Sequence, residues 1–133
     1  MRIMLDTNIF VSMLFFPSDQ TRELAKKLTD SHQIVICDYV IEELRLVTER
    51  KFPAKKHSLE QFFLELPYEL VYTPRELDPE DYPEMRDAKD SPILATAVME
   101  GIDVFLTGDK DFLVLDVEMP EILTMREFLE RYG

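Results

Sequence analysis

One stretch, RIMLD at residues 2–6, decides the fold of this 133-residue sequence. It is a short apolar run that ends at a carboxylate, which is typical of a buried strand with a polar residue at its carboxyl end. Comparable runs at residues 34–37 and 104–107 predict two further strands, and residues 70–72 and 122–124 are shorter strand candidates. Predicted strands therefore recur along the whole chain.

Segments with apolar residues at helical spacing separate these strands. Asp38 is the predicted N-cap of the helix after the second strand, and Gly101 is the predicted C-cap of a later helix. Strands that alternate with helices, without an internal repeat, indicate an α/β fold over residues 1–133. We predict a single domain with three layers, α/β/α, around a mainly parallel sheet. Right-handed crossovers then place all strand carboxyl ends at one edge. The predicted helices cover residues 9–16, 21–30, 38–50, 58–66, 90–101 and 126–131.

The composition excludes several classes of protein. The single cysteine, Cys37, rules out an intramolecular disulfide and any multi-cysteine metal site. His32 and His57 have no Cys or His at ligand spacing, which argues against a zinc enzyme. With 3 glycines, the chain contains neither a dinucleotide fingerprint nor a Gly-rich phosphate loop.

The sequence shows no membrane or export signal. The apolar run at residues 9–16 is too short to span a bilayer, and strand-like sequence from Arg2 leaves no room for a presequence. One cysteine also fits a reducing compartment. We therefore expect a cytoplasmic protein with no membrane partner.

Acidic residues are predicted to converge at the carboxyl edge of the sheet, where open α/β sheets bind ligands. Asp6 ends the first strand, and Asp109 with Asp111 follows the strand before them. Glu43 lies early in the helix after the second strand, and Asp90 begins a later helix, so each can lean toward this edge. Such acids repel each other unless a cation lies between them. Oxygen ligands alone favour Mg²⁺ or Mn²⁺, as one ion or two, and such ions assist phosphoryl chemistry.

Four motifs in order across nearly the whole chain resemble those of the PIN-domain nucleases. They are LDTN at residues 5–8, IEEL at 41–44, DSPILATA at 90–97 and LTGDKDF at 106–112. Residues 86–90 and 104–112 are particularly similar to the VapC-like toxins of bacterial toxin–antitoxin systems. The resemblance implies a PIN-like fold and a Mg²⁺- or Mn²⁺-dependent endoribonuclease that hydrolyses RNA phosphodiesters.

The resemblance also implies which residues act. Asn8 and Thr107 would orient the ligands of the metal. Glu42 and Glu43 are alternative candidates for one ligand position, because adjacent helix positions point about 100° apart and only one can face the site. Glu43 is preferred because it precedes the leucine of the motif. Asp87 is a weaker candidate than Asp90 for the ligand position before the later helix. The implied catalytic residues and metal ligands are Asp6, Glu43, Asp90 and Asp109, with Asp111 close to the metal.

Each acid also has a purely structural interpretation. Asp6 and Asp90 fit helix N-caps, Asp109 and Asp111 fit a turn, and Glu43 fits a solvated helix position. Each of these interpretations explains one residue, and none explains why the four acids Asp6, Glu43, Asp90 and Asp109 would all lie at one edge.

Charge is unevenly distributed in a chain with 15 Lys and Arg, 27 Asp and Glu, and a net charge of −12. Residues 44–58 have a local charge of +4, whereas residues 76–90 have −5. Because the basic stretch begins on the helix of Glu43, it is a candidate for contacting an RNA backbone; a solvated helix end is the equal alternative. Its basic residues are Arg45, Arg50, Lys51, Lys55 and Lys56.

The implied partners are an RNA substrate, a small antitoxin protein and a second copy in a homodimer. The alternative is a catalytically silent PIN-like module that binds RNA or a protein without cleavage. The net charge of −12 predicts RNA binding that is weak, salt-sensitive and metal-dependent.

Overall fold

The computed structural model describes residues 1–73, 91–115 and 117–133. The predicted acidic stretch at residues 76–90, with Asp87 and Asp90, lies outside the described residues. Every predicted strand is present, within one or two residues of its expected bounds. The strands are β1 Arg2–Leu5, β2 Gln33–Cys37, β3 Tyr68–Val71, β4 Val104–Leu106 and β5 Glu121–Leu123.

All five strands form one sheet in the order β3-β2-β1-β4-β5, and every neighbouring pair is parallel. The predicted α/β fold with a parallel sheet is therefore confirmed. β1 lies at the centre, where Ile3 is opposite Ile34 of β2 on one side and Val104 of β4 on the other. This register aligns the carboxyl ends of β1, β2 and β4 at one edge.

Helices cover the sheet between these strands. Ile3, Met4 and Leu5 are consecutive and all at most 1% exposed, which requires that both faces of β1 be covered. Apolar residues of the helices, such as Phe10 and Leu24, pack against the sheet. The helices are α1 Thr7–Phe15, α2 Asp19–Ser31, α3 Asp38–Lys51, α4 Lys56–Glu65, α5 Ser91–Met99, α6 Lys110–Leu113 and α7 Met125–Tyr132, with a 3₁₀ turn at Pro53–Lys55.

The ends of two helices test the predicted caps. Gly101 has a φ of 64°, and the N–H of Ile102 donates to the carbonyl of Ala97, so the predicted glycine C-cap of α5 is confirmed. The predicted N-cap of α3 is wrong: Cys37 occupies that position, and Asp38 is the first helical residue. Asp38 Oδ1 instead accepts hydrogen bonds from the backbone N–H and the hydroxyl of Thr73, both at 2.7 Å.

Within the part of the chain that the structure describes, no helix has both the length and the apolar character needed to cross a bilayer.

Candidate active site at the carboxyl edge of the sheet

Asp6 and Thr107 are the first residues after the two central strands, and the sheet register brings them together. Leu5 of β1 is opposite Leu106 of β4, and the N–H of Asp6 donates to the carbonyl of Leu106 at 3.0 Å. The hydroxyl of Thr107 then donates to Asp6 Oδ2 at 2.5 Å. Thr107 is fully buried, so a rigid side chain fixes this carboxylate.

The other oxygen of Asp6 caps a helix. Asp6 Oδ1 accepts a hydrogen bond from the backbone N–H of Asn8 at 2.6 Å, at the first turn of α1. The structural interpretation of Asp6 as an N-cap and its predicted place at the sheet edge are therefore both correct. Asn8 reaches Asp6 through its backbone, while its side chain is exposed.

A short series of hydrogen bonds links Asp109 and Asp111 to Thr107. The N–H of Asp109 donates to Thr107 Oγ1 at 3.0 Å, and the N–H of Asp111 donates to Asp109 Oδ1 at 2.9 Å. Asp109 thereby caps the short helix α6, which Phe112 anchors by packing on Phe105 with ring centroids 4.9 Å apart. The Thr107 hydroxyl thus connects the Asp6 carboxylate to the backbone amide of Asp109.

Glu43 reaches the edge from α3. Its Oε1 accepts a hydrogen bond from the hydroxyl of Thr7, the buried first residue of α1. Glu43 is half-buried, whereas the neighbouring Glu42 is exposed. Of the two competing glutamates, Glu43 is the one that the described contacts connect to Asp6 and its helix.

Burial and neighbouring negative charges both act on the Asp6 carboxylate. Burial raises the pKa of Asp6 above its ordinary value. Hydrogen bonds from Thr107 and Asn8 oppose this rise, while the negative charges of Asp109 and Glu43 add to it. A cation at this position would relieve the repulsion and favour the ionised form of Asp6.

The donors suit a hard divalent cation, since they are carboxylate oxygens without nitrogen or sulfur. Among residues 1–73, 91–115 and 117–133, no three His, Cys, Asp or Glu side chains are arranged closely enough to hold a metal ion. The predicted ligand Asp90 lies outside these residues. The chemistry of the donors fits a hard divalent cation, although the described acids alone do not form a complete site.

An open groove of about 460 Å³ runs along α3 beside the acids. Its lining runs from Tyr39, Glu42 and Glu43 through Leu46 and Val47 to Arg50. Glu43 and Arg50 are seven positions apart in the helix, or about 10 Å along its axis. The groove therefore joins the acidic edge to one of the predicted basic residues.

The five predicted basic residues do not share one surface. Arg45 pairs with Glu60 at 3.4 Å and lies over the ring of Phe63, and with Lys56 it lines a different, smaller cavity between α3 and α4. Lys51 and Lys55 are exposed near the end of α3. Among the described arginines, Arg50 alone has no carboxylate partner. The paired arginines are Arg2, Arg22, Arg45, Arg126 and Arg131.

Sequence reasoning missed Thr7. It lies inside the motif at residues 5–8, between the predicted residues Asp6 and Asn8, and its hydroxyl contacts Glu43. The signal that could have identified it was its place at the first turn of a helix beside a predicted ligand. The contact itself depends on how α1 and α3 pack.

Comparisons with known proteins agree with this geometry. One similar solved structure is VapBC2 from Rickettsia felis bound to a DNA fragment from their promoter, with 21% sequence identity, a TM-score of 0.72, and coverage of 93% of this chain and 98% of that one. Another is FitAB bound to an IR36 DNA fragment, with 18% identity, a TM-score of 0.67, and coverage of 92% and 94%. At these identities the likeness establishes the fold. No curated protein matches the sequence.

The sequence also matches a protein family directly. The match covers residues 3–118, and so includes the strand before Asp6, the helix of Glu43 and the turn with Asp109. Because this match spans most of the chain, the protein belongs to the PIN domain family.

Proposed function

We propose that this protein is a Mg²⁺- or Mn²⁺-dependent endoribonuclease that hydrolyses RNA phosphodiesters, and that it is the toxin of a toxin–antitoxin pair. PIN domains are generally nucleases and generally use divalent metal ions. The observation that carries the proposal is Asp6, a carboxylate only 5% exposed, held by two hydrogen bonds and subject to the charges of Asp109 and Glu43. Such a group is unfavourable for stability alone and favourable for holding a cation.

The acids divide the work of holding one or two cations. Asp6, Glu43 and Asp109 would be ligands, Asp111 would lie close by, and Asp90 would complete the set. A divalent cation, when bound there, activates water and stabilises the charge that develops on a phosphodiester. Thr107 keeps the Asp6 carboxylate in place for this task, because its hydroxyl donates to Asp6 and accepts from the Asp109 amide.

Arg50 is the basic residue best placed to bind substrate. It shares the α3 groove with Glu43, and among the described residues no carboxylate neutralises it. A guanidinium in this position would bind a phosphate displaced from the reacting one. Exposed apolar side chains such as Leu46 offer contact to unstacked bases, which favours single-stranded RNA over a duplex.

The proposed partners rest on the fold comparisons. The similar structures are the VapBC2 and FitAB complexes, both bound to DNA. Their likeness supports a small antitoxin as a partner of this chain, and we propose a homodimer for the toxin.

The direct test is an Mn²⁺ titration of the purified protein with a mixed RNA pool. Cleavage is expected to require the metal and to be lost in Asp6→Asn and Asp90→Asn, while the fold, checked by circular dichroism, is retained. Asp30→Asn, an exposed aspartate on α2, is the matched control and should cleave like wild type.

Two results would contradict the proposal. Cleavage that persists in excess EDTA, or that survives in both substituted proteins, rules out the metal site. Wild-type protein that binds RNA without cutting it, at any Mn²⁺ concentration, would instead support the catalytically silent alternative.

A further inference from the structure

We infer that Thr7 is a positioning residue that holds the Glu43 carboxylate in the orientation needed to bind the divalent cation. This inference rests on the proposed metal-dependent function. It assigns a role to Thr7, which lies within the LDTN motif at residues 5–8 but is not one of the predicted site residues.

Thr7 and Glu43 are joined by a direct hydrogen bond, and the Thr7 side of this contact is buried. The Thr7 hydroxyl donates to Glu43 Oε1, and Thr7 is 6% exposed. Glu43 is half-buried, so water competes for its carboxylate on the groove side. Without the hydroxyl, one carboxylate oxygen would lose a partner that solvent cannot fully replace at the buried side.

The location of Thr7 explains why it suits this task. It is the first residue of α1, directly after Asp6, whose carboxylate caps the same helix. Thr7 is therefore fixed in space by the same turn that fixes Asp6. The contact between α1 and α3 thus sets where the Glu43 carboxylate lies relative to Asp6.

The chemistry of threonine favours positioning over mere packing. Its single hydroxyl proton goes to Glu43, and its branched Cβ restricts rotation about χ1. Glutamate has three rotatable bonds, so fixing one oxygen removes conformational freedom that cation binding would otherwise have to remove. Residues that orient metal ligands in this way typically change metal affinity by about 10- to 100-fold when substituted.

The test compares Mn²⁺ affinity, measured by calorimetry without RNA, in Thr7→Val and Thr7→Ser. Valine keeps the shape of threonine and lacks the hydroxyl, so we expect affinity to fall by about 10- to 100-fold. Serine keeps the hydroxyl, so affinity should stay within a few-fold of wild type. Thr7→Ala, which adds no bulk, repeats the test if valine is not accommodated.

A matched control and a double substitution separate positioning from structural damage. Thr48 is a buried threonine on α3 whose hydroxyl donates to the carbonyl of Leu44 at 2.7 Å, so Thr48→Val should leave Mn²⁺ affinity unchanged. In a Glu43→Gln background, Thr7→Val should cause little further loss, because the two residues act through one carboxylate.

The outcomes distinguish this inference from the proposed function. If wild type binds Mn²⁺ and cleaves RNA while folded Thr7→Val and Thr7→Ala bind Mn²⁺ equally well, the inference is wrong and the proposed function stands. If Thr7→Val lowers affinity equally with and without Glu43→Gln, Thr7 does not act through Glu43. Wild type that neither binds Mn²⁺ nor cleaves RNA overturns the proposed function itself.

Discussion

Asp6 is both a helix cap and a buried carboxylate. Its Oδ1 caps α1, and its Oδ2 accepts the Thr107 hydroxyl, so both oxygens have fixed hydrogen-bond partners inside the protein. Burial nevertheless makes its negative charge unfavourable, and Asp109 and Glu43 increase this effect. In the absence of a cation, the ionised form of Asp6 therefore destabilises the folded state.

The burial of Asp6 predicts that the difference in stability between wild type and Asp6→Asn changes with pH. Because the pKa of Asp6 is raised in the folded protein, wild type loses stability as pH rises above the ordinary aspartate value of 3.8 and through the folded-state pKa. Asparagine stays neutral. In EDTA, Asp6→Asn should therefore melt a few degrees higher than wild type at pH 7, with a smaller difference near pH 4.

Differential scanning calorimetry at several pH values measures this effect. Asp30→Asn, an exposed substitution, should melt like wild type throughout. Saturating Mn²⁺ should reverse the order, because only the ionised carboxylate is a strong ligand. An Asp6→Asn protein that is less stable than wild type by the same amount at every pH would contradict the electrostatic explanation.

The sequence predicted the position of Asp6 because a strand with a parallel partner leaves little choice about where its last residue lies. The same argument predicted Asp109. The hydrogen bond from Thr7 to Glu43 could not be predicted, since it depends on the packing of two helices that are far apart in sequence. The placement of Asp90 stays a prediction.

At the scale of elements, α3 has a buried side and a side that lines the groove. Val40, Leu44 and Thr48 are buried, while Glu43 and Arg50 line the groove. A helix can serve both purposes because residues three, four or seven apart share a face. The sequence predicted this helix and the preference for Glu43 over Glu42. It also placed all five basic residues in one group, whereas the packing of α4 against α3 separates Arg45 from Arg50.

Arg50→Ala tests the groove. Removal of a phosphate contact away from the reacting bond should raise KM for RNA about tenfold, equivalent to about 1.4 kcal/mol, while kcat changes less than about twofold. Steady-state kinetics with a short single-stranded RNA measures both constants. Arg22→Ala on α2, another exposed arginine, is the control and should leave KM unchanged. A fall in kcat with constant KM would instead assign Arg50 to the reaction itself.

The start of α2 provides a prediction on stability. Ser18 forms a reciprocal capping box with Thr21, which is 4% exposed. Ser18→Ala should lower the free energy of unfolding by about 1 kcal/mol. Ser58→Ala, an exposed serine in the first turn of α4 with no capping role, is the control and should have almost no effect in urea denaturation. Equal losses in the two proteins would show that the capping box contributes nothing specific.

The structure also shows which elements sequence patterns miss. α6 has only four residues, KDFL, so no helical period can be seen in it. Asp38 has the residue type of an N-cap, yet its carboxylate binds Thr73 after β3, a contact that arises only once the strands are paired. Local patterns predicted the long elements, whereas contacts between distant segments decided these details.

For the whole molecule, the net charge of −12 opposes contact with a polyanion. The proposed binding of RNA would then depend on a few local contacts and on a cation between the acids. With one or two phosphate contacts, we expect log Kobs to fall with log salt at a slope of about −0.7 to −1.4 for a single strand. Fluorescence anisotropy, recorded at salt concentrations from about 50 to about 200 mM, measures this slope.

Two variants sharpen this prediction. Arg50→Ala should reduce the slope by about 0.7, equivalent to one contact, and Arg22→Ala should not alter it. Removal of Mn²⁺ should weaken binding at every salt concentration. A steep slope that persists in both variants would indicate a broader basic surface than the described residues provide.

The order of the strands has a consequence for when the Asp6 carboxylate becomes fixed during translation. β1 is made first, but Thr107, which holds the Asp6 carboxylate, lies 101 residues later. While the chain is still emerging from the ribosome, the central strand lacks β4, and Asp6 has no hydroxyl to fix it. A nascent chain that stops before residue 107 would therefore lack the hydroxyl that fixes Asp6, and the proposed metal site could form only after β4 and the residue that follows it had been made.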